Sequence, residues 1–227
     1  MKIRAIILFS IINLEKSLSG LISFFFHQCL NLREIFLLSA HPVKTSFIKL
    51  DFSAGFISLV DLSASSSTSF KEAGLKLGAV QNHYSLLNRS SEDSGILEYC
   101  KENDIIFFSY MVLEQGALSG KYDTAHPFPE GSDRANAYGE SLAEIEELNN
   151  AIAEIAENHN AKVAQLPIAW AIAKGTLPII GATKVHHVED AADAVNIELS
   201  DDEIKTMEEL ADKANVNTIR IWEKEMK

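Results

Sequence analysis

Residues 110–122, with the sequence YMVLEQGALSGKY, include the side chains best suited to bind a charged ligand. They follow the apolar run 105–108, which predicts a buried strand. Gly116 and Gly120 allow backbone N–H groups to approach an anion closely, and Lys121 adds a positive charge. The segment therefore predicts a loop at the end of a strand that binds a phosphate-bearing cofactor.

Alternating strands and helices are predicted to position this loop. The sequence from residue 71 predicts strands over residues 75–81, 104–109 and 177–180. Helices are predicted over residues 91–103 and 186–194, and over 163–174 with a kink or late start at Pro167. Two further helices are predicted from capping boxes, one that begins after Ser141 and one that runs from Ser200 to about residue 214. Residues 123–140 are polar and rich in Pro and Gly, and they predict a loop. This alternation is typical of a parallel α/β architecture.

The first 70 residues have a different composition. They contain nine of the 12 Phe residues, a serine-rich stretch, and neither Tyr nor Trp. Their apolar runs, at 5–12, 21–26, 35–40 and 56–60, fit a strand or a buried helix equally well. We therefore treat residues 1–70 as an unassigned segment without motifs and residues 71–227 as a separate unit.

Composition excludes some classes of protein and favours one compartment. The net charge of −12 argues against a general nucleic-acid binder, which needs a basic face. Cys29 and Cys100 have no metal or redox spacing, and no metal site is predicted, so we expect two thiols in a reducing, cytoplasmic setting. The run 5–12 is too short to span a membrane, although membrane association or a targeting role for residues 5–26 is a weaker alternative.

Four blocks from residue 78 onward resemble, in order, the C-terminal half of the aldo/keto reductases. They are residues 78–89, which contain Gln81; residues 108–122; residues 163–171; and residues 177–190. The resemblance implies an α/β fold that is part of a TIM (β/α)8 barrel. Strands six to eight would be present with their helices, and the N-terminal segment would be irregular.

The same resemblance implies a nicotinamide cofactor, with NADP favoured and NAD possible, and a small carbonyl compound as substrate. Gln81 would bind the nicotinamide carboxamide and Tyr110 would stack on its ring. The pyrophosphate would be wrapped by a loop that includes Leu113, Gln115, Gly116, Leu118 and Lys121. The adenosine and a 2′-phosphate would lie near Gly181, Ala182, Thr183, Lys184, His187 and Asp190. Simpler structural alternatives are a strand cap for Gln81, a core role for Tyr110 and a solvated charge for Lys184.

The sequence departs from the family pattern in two places. In the family a tyrosine donates the proton, a lysine and an aspartate tune it, and a histidine orients the substrate, all in the first half of the barrel. This chain has no tyrosine before Tyr84 and no Ser-Asn pair before Gln81, so we predict no catalytic residue. Near the adenosine, Ala191 stands where the family commonly has Asn, and His187 where it often has Arg.

Two functions follow as hypotheses. The first is an NAD(P)H-dependent oxidoreductase of the aldo/keto reductase type, a fragment with a truncated or scrambled first half that lacks the catalytic tetrad. The second is a non-catalytic nucleotide-binding or interaction protein, in which the N-terminal segment covers the exposed edge of the sheet or contacts a partner.

Overall fold

A computed structural model of the chain describes residues 8–10, 49–51, 56–60 and 76–218, and the side chains of residues 77–218. Within these described residues, six strands form one sheet in the order β1-β6-β5-β4-β3-β2. All neighbouring strands are parallel except β2 and β3, which are antiparallel. The strands are β1 (Leu8–Ser10), β2 (Lys49–Asp51), β3 (Phe56–Val60), β4 (Lys76–His83), β5 (Ile106–Tyr110) and β6 (Leu177–Gly181).

Seven α-helices are distributed between and after the last three strands in the described part of the chain. They are α1 (Ser90–Asp93), α2 (Ile96–Glu102), α3 (Asp133–Tyr138), α4 (Leu142–Asn158), α5 (Gln165–Ala173), α6 (Val185–Asp193) and α7 (Asp201–Ala214). Short 3₁₀ turns occupy Glu114–Ser119, Gly139–Ser141 and Ala194–Asn196. The βα alternation explains why the strands are parallel, since each helix returns the chain to the same edge of the sheet.

Helices cover one face of the sheet. Val80 of β4, Phe107 of β5 and Ile180 of β6 belong to one buried cluster with apolar residues of α2, α4, α5 and α7. Because strand residues alternate between faces, Gln81 and Tyr110 belong to the opposite face, where their neighbours Ile106 and Phe108 are more exposed than Phe107. This second face corresponds to the interior of a barrel.

The structure confirms the predicted parallel α/β arrangement and most of the elements after residue 71. The helix α4 buries the periodic apolar residues, namely Leu142, Ile145, Leu148, Ile152 and Ile155. The helix α5 begins at Gln165, so that Pro167 lies in its first turn, where no intrahelical donor is lost. Strands β4, β5 and β6 match the three predicted strands within two residues.

Three local predictions were wrong, and one of them is the capping box at Ser141, where no side-chain cap bond forms. Residues 91–103 do not form one helix, because Gly95 has φ of 73° and separates α1 from α2. Residues 123–140 are not entirely loop, since Ser132 caps the short helix α3 by accepting a hydrogen bond from the N–H of Ala135 at 3.2 Å. A six-residue helix offers too little periodic pattern to be predicted from sequence.

The N-terminal segment adds strands to the predicted three-stranded core. Strand β3 coincides with the apolar run 56–60 and pairs with β4, while β1 lies within the run 5–12 and pairs with β6. The runs 21–26 and 35–40 lie outside the described residues, as does Cys29. Within the described residues, no helix has the length and apolar character needed to cross a membrane.

Candidate cofactor-binding site

Gln81 and Tyr110 lie near the carboxyl ends of the two central strands. In the register of β4 and β5, Gln81 pairs with Phe108 and His83 with Tyr110. Both predicted nicotinamide contacts are half-buried. Because barrel enzymes build their sites at this end of the strands, the two side chains lie where a cofactor would be expected.

The loop after β5 has an unusual backbone. Three residues with side chains have positive φ, Met111 at 62°, Glu114 at 45° and Gln115 at 55°, as do Gly116 at 97° and Gly120 at 69°. Such conformations are sparsely populated outside glycine and persist where the surroundings determine them. The loop folds back on itself, since the N–H of Gly116 donates to the carbonyl of Leu113 at 2.7 Å.

Side chains of the predicted pyrophosphate loop differ in their exposure. Leu113, Gln115 and Gly116 are half-buried and Lys121 is exposed, which leaves them accessible to a ligand. Leu118 is fully buried in the main core, where its side chain packs among apolar residues. Only the backbone of Leu118 is therefore a candidate for contact with a cofactor. From α4, the Asn149 side-chain amide donates to the carbonyl of Ala117 at 2.8 Å and anchors the loop.

Sequence reasoning missed a buried polar cluster under this loop. His83 Nε2 lies 2.7 Å from Glu114 Oε1, and the Tyr138 hydroxyl donates to Glu114 Oε2 at 2.6 Å. The ring of His83 stacks on that of Tyr110, with centroids 5.5 Å apart and an interplanar angle of 29°. One signal was present in the sequence, because Glu114 is the only charged residue among residues 105–120.

The turn from β6 into α6 forms the second part of the site. Gly181, Thr183 and Lys184 are exposed, whereas Ala182 is buried. The N–H of Thr183 donates to His187 Nδ1 at 3.4 Å, which brings this histidine back over the turn. At Gly181 a β-carbon would meet no atom within 4 Å, so there is open space beside the backbone.

The electrostatics of His187 link the two loops. Partial burial lowers the pKa of His187, and the nearby positive charges of His186, Lys184 and Lys121 lower it further, while Asp190 acts in the opposite direction. Lys121 belongs to the loop after β5, so a charge of that loop contributes to lowering the pKa of His187 at the turn after β6. Lys121 and Lys184 thus place positive charge beside two glycine-containing segments, and this combination suits a phosphate.

Asp190 is engaged by residues of the chain itself. Its carboxylate accepts hydrogen bonds from Lys162 Nζ at 2.6 and 2.8 Å, and its carbonyl accepts one from the Gln165 side-chain amide at 2.8 Å. These bonds fix α6 against the start of α5. The carboxylate of Asp190 is therefore paired with the Lys162 ammonium in the ligand-free chain.

Tyr84, the first tyrosine of the chain, is not placed as a proton donor. It is fully buried, its ring stacks on Trp170 at 5.0 Å, and its hydroxyl donates to Glu92. Burial is the main cause that raises its pKa, followed by the hydrogen bond to Glu92. Its hydroxyl thus belongs to the helix side of the sheet, away from the face that carries Gln81 and Tyr110. Among the described side chains, no cluster of three or more His, Cys, Asp or Glu residues could hold a metal ion.

Comparison with known proteins gives the class to which this fold and site belong. The sequence profile of the Aldo/keto reductase family matches residues 48–212, which is well over half of the chain. The chain belongs to the aldo/keto reductase family. The matched region begins upstream of residue 71, where the recognisable motifs start, and therefore includes β2 and β3.

Two curated relatives illustrate the similarity. The chain is 34% identical over 172 residues to the aldo-keto reductase yakc [NADP(+)] of Schizosaccharomyces pombe, covering 72% of this chain and 51% of the relative. It is 35% identical over 150 residues to the chloroplastic pyridoxal reductase of Arabidopsis thaliana, covering 66% of this chain and 40% of the relative. The chain thus spans about half the length of these curated relatives.

Solved structures support the fold. A glycerol dehydrogenase from Gluconobacter oxydans superposes with a TM-score of 0.59 at 24% identity, over 71% of this chain and 50% of that protein. A thermostable aldo-keto reductase solved with the inhibitor epalrestat superposes with a TM-score of 0.51 at 22% identity, over 66% of this chain and 46% of that protein. The open parallel sheet with its helices accordingly corresponds to part of a TIM barrel.

Proposed function

We propose that this chain binds NADP(H) through the cofactor-binding half of an aldo/keto reductase fold. The observation that carries the proposal is the position of two glycine-containing segments, which lie at the carboxyl ends of the paired parallel strands β5 and β6. Lys121 of one loop and Lys184 of the other both act on the pKa of His187. A site with positive charge, exposed backbone and open space at Gly181 suits the phosphates of a dinucleotide.

The residues present fit such a cofactor. Gln81 would bind the carboxamide with an amide that both donates and accepts, and Tyr110 would provide an aromatic face for the ring. The pyrophosphate would be held by Leu113, Gln115, Gly116 and Lys121 with the backbone of Leu118, and the adenosine end by Gly181, Ala182, Thr183, Lys184, His187 and Asp190. When bound, a reduced nicotinamide supplies a hydride for the reduction of a carbonyl group.

NADP is preferred to NAD in this proposal. The extra 2′-phosphate of NADP needs positive charge near the adenosine, and Lys184, His186 and His187 begin or follow the turn into α6. The relative from S. pombe carries NADP(+) in its name. The substrate class is a small-molecule carbonyl compound, in keeping with the pyridoxal reductase and aryl-alcohol dehydrogenase names of other relatives.

Proton donation is proposed to be absent from the described part of the chain. All five tyrosines lie at or after Tyr84, in the half of the barrel that binds the cofactor. Positioned proton transfer contributes roughly a hundred- to ten-thousand-fold to such reactions. We therefore expect cofactor binding with little or no turnover, and we propose no catalytic residue among residues 76–218.

Two measurements test the proposal and separate it from the non-catalytic alternative. NADPH fluorescence is titrated with the protein, and NADPH oxidation is followed with a panel of aldehydes and ketones. Saturable binding without turnover would favour a nucleotide-binding role, while turnover well above background would show that a complete catalytic apparatus is present. Absence of binding would contradict the proposal itself.

A cytoplasmic location is part of the proposal, and residues 71–227 are proposed as its cofactor-binding unit. Cys100 is a free, buried thiol, and burial raises its pKa to about 12, so it is an unreactive core residue that needs no oxidising compartment. Fractionation of cells that express the chain would check this, since recovery in a membrane or secreted fraction would contradict it.

A further inference from the structure

Glu114 is the least expected residue of the site, because a carboxylate is buried in a loop that is proposed to hold an anionic cofactor. Glu114 is 0% exposed and has φ of 45°, a conformation that residues with a side chain rarely adopt. Burial of a carboxylate is costly unless donors satisfy it. The role of Glu114 must therefore be found in the groups that its carboxylate holds.

Donors from two other segments converge on this carboxylate. The Tyr138 hydroxyl, at the end of α3, donates to Oε2 at 2.6 Å. The Ser85 hydroxyl, just beyond β4, donates to Oε1, and His83 Nε2 lies 2.7 Å from the same oxygen. Glu114 thus joins the loop after β5 to the end of β4 and to α3.

The bonds of Asn88 determine which nitrogen of His83 carries the proton. Asn88 Oδ1 accepts hydrogen bonds from the Ser90 N–H at 3.3 Å and the Ser90 hydroxyl at 2.8 Å. Its Nδ2 therefore faces His83 and donates to Nδ1 at 3.2 Å. Because Nδ1 is an acceptor, the neutral ring donates its Nε2–H to Glu114. Bonds at both nitrogens hold this ring in one orientation.

The oriented ring of His83 is the one that stacks on Tyr110, at a centroid distance of 5.5 Å. We propose that Glu114 is a positioning residue that acts through His83 to hold the Tyr110 ring ready to stack on the nicotinamide. This inference rests on the proposed function and deepens it. It predicts that loss of the Glu114 carboxylate weakens contacts with the nicotinamide end of the cofactor and spares contacts with the adenosine end.

The test compares two probes on the same protein. NADPH carries both ends of the cofactor and the pyrophosphate between them, whereas adenosine 2′-monophosphate carries the adenosine end alone. In the Glu114→Gln variant an amide N–H₂ replaces one acceptor oxygen and faces a donor, so NADPH affinity should fall about ten-fold, the scale of one lost bond to a charged group. Affinity for adenosine 2′-monophosphate should change by less than about two-fold, because its proposed site lies at the turn after β6.

Two further variants separate positioning from general damage. His83→Gln keeps an amide donor for Glu114 but removes the ring, so it should cause the same selective loss of NADPH. Tyr138→Phe removes a donor on the other carboxylate oxygen and should weaken NADPH less than Glu114→Gln does. Circular dichroism spectra verify that each variant is folded, and His83→Gln provides the test if Glu114→Gln does not fold.

The outcomes are distinguishable. Equal loss of both probes in a folded Glu114→Gln variant, or unchanged NADPH affinity, would overturn the positioning role while the proposed function stood. If the wild-type chain bound neither probe, the proposed function would fail, and this inference would fail with it. Selective loss of NADPH in both Glu114→Gln and His83→Gln would support it.

Discussion

Gly120 lies against Val163, so closely that a β-carbon at Gly120 would be 3.1 Å from the valine side chain. Gly120 ends the loop after β5 with φ of 69°, and Val163 precedes α5, whose first residues carry the hydrogen bond to Asp190. This contact joins the loop proposed to bind pyrophosphate to the segment that holds α6. The two halves of the candidate site are therefore mechanically connected.

The Gly120→Ala substitution should destabilise the chain. A side chain at this φ is strained, and the new methyl group would push on Val163, so we expect a loss of about 1–3 kcal/mol in the free energy of unfolding. Urea denaturation followed by circular dichroism measures this loss. Gly139→Ala is the matched control, since its φ is not positive and a β-carbon there meets no atom within 4 Å. Equal effects of both substitutions would contradict the account.

Two predicted capping boxes allow a second comparison. At Ser200 the hydroxyl accepts from the N–H of Glu203 at 3.3 Å, and the Glu203 carboxylate accepts from the N–H of Ser200 at 2.8 Å. At Ser141 no side-chain cap bond forms, because a 3₁₀ turn leads directly into α4. Ser200→Ala should therefore cost about 1 kcal/mol of stability and Ser141→Ala little. Chemical denaturation of both variants measures the two losses of stability. A larger loss of stability for Ser141→Ala than for Ser200→Ala would contradict the structure.

The affinity for NADPH should depend on pH through His187. Its pKa lies below the ordinary value of 6.5, so the free protein holds this ring neutral near pH 7. A bound 2′-phosphate would favour the charged ring and raise its pKa, so binding takes up a proton and affinity increases as the pH falls through the histidine range.

Calorimetric titrations at about pH 6 and about pH 8 measure this dependence. NADH, which lacks the 2′-phosphate, and the His187→Gln variant are the controls, and both should show a smaller change with pH. An identical pH dependence for NADH and NADPH would exclude His187 as the phosphate contact.

Lys121 should contribute an ionic contact to the cofactor. The side chain is exposed, and its Nζ lies 5.0 Å from the centroid of the Tyr122 ring. The ammonium group is therefore accessible to the phosphate of a ligand that binds from solvent. Lys121→Met should weaken NADPH about three- to ten-fold at low salt, and the difference should shrink at high salt because exposed charges are screened. Lys213→Met, which removes another exposed lysine in the last turn of α7, should leave affinity unchanged. If the loss of affinity in Lys121→Met were the same at low and high salt concentration, that result would argue against an ionic contact.

Sequence reasoning predicted the elements that carry a strong local pattern. The apolar spacing of α4 and the capping box of α7 depend on neighbours within a few positions, and both were confirmed. The split of the predicted helix at Gly95 was missed, because a glycine inside a helical pattern can be either tolerated or used as a break.

The candidate site was predictable only in part. Resemblance to a family indicated Gln81, Tyr110 and the two loops, whose residues are far apart in the sequence. The contact of His83 with Glu114 joins residues 31 positions apart, and no local pattern encodes it. The pairing of Asp190 with Lys162 was also not foreseen, since a salt bridge between α6 and the segment before α5 depends on tertiary packing.

The proposed binding of NADP(H) is tested most directly by the free energy of unfolding of the wild-type chain, measured with and without NADPH. A ligand that binds only the folded state at a hundred times its Kd adds about 2.7 kcal/mol of stability, so the denaturation midpoint should rise with NADPH concentration and rise less with NADH. A midpoint that does not move at any NADPH concentration would contradict the account.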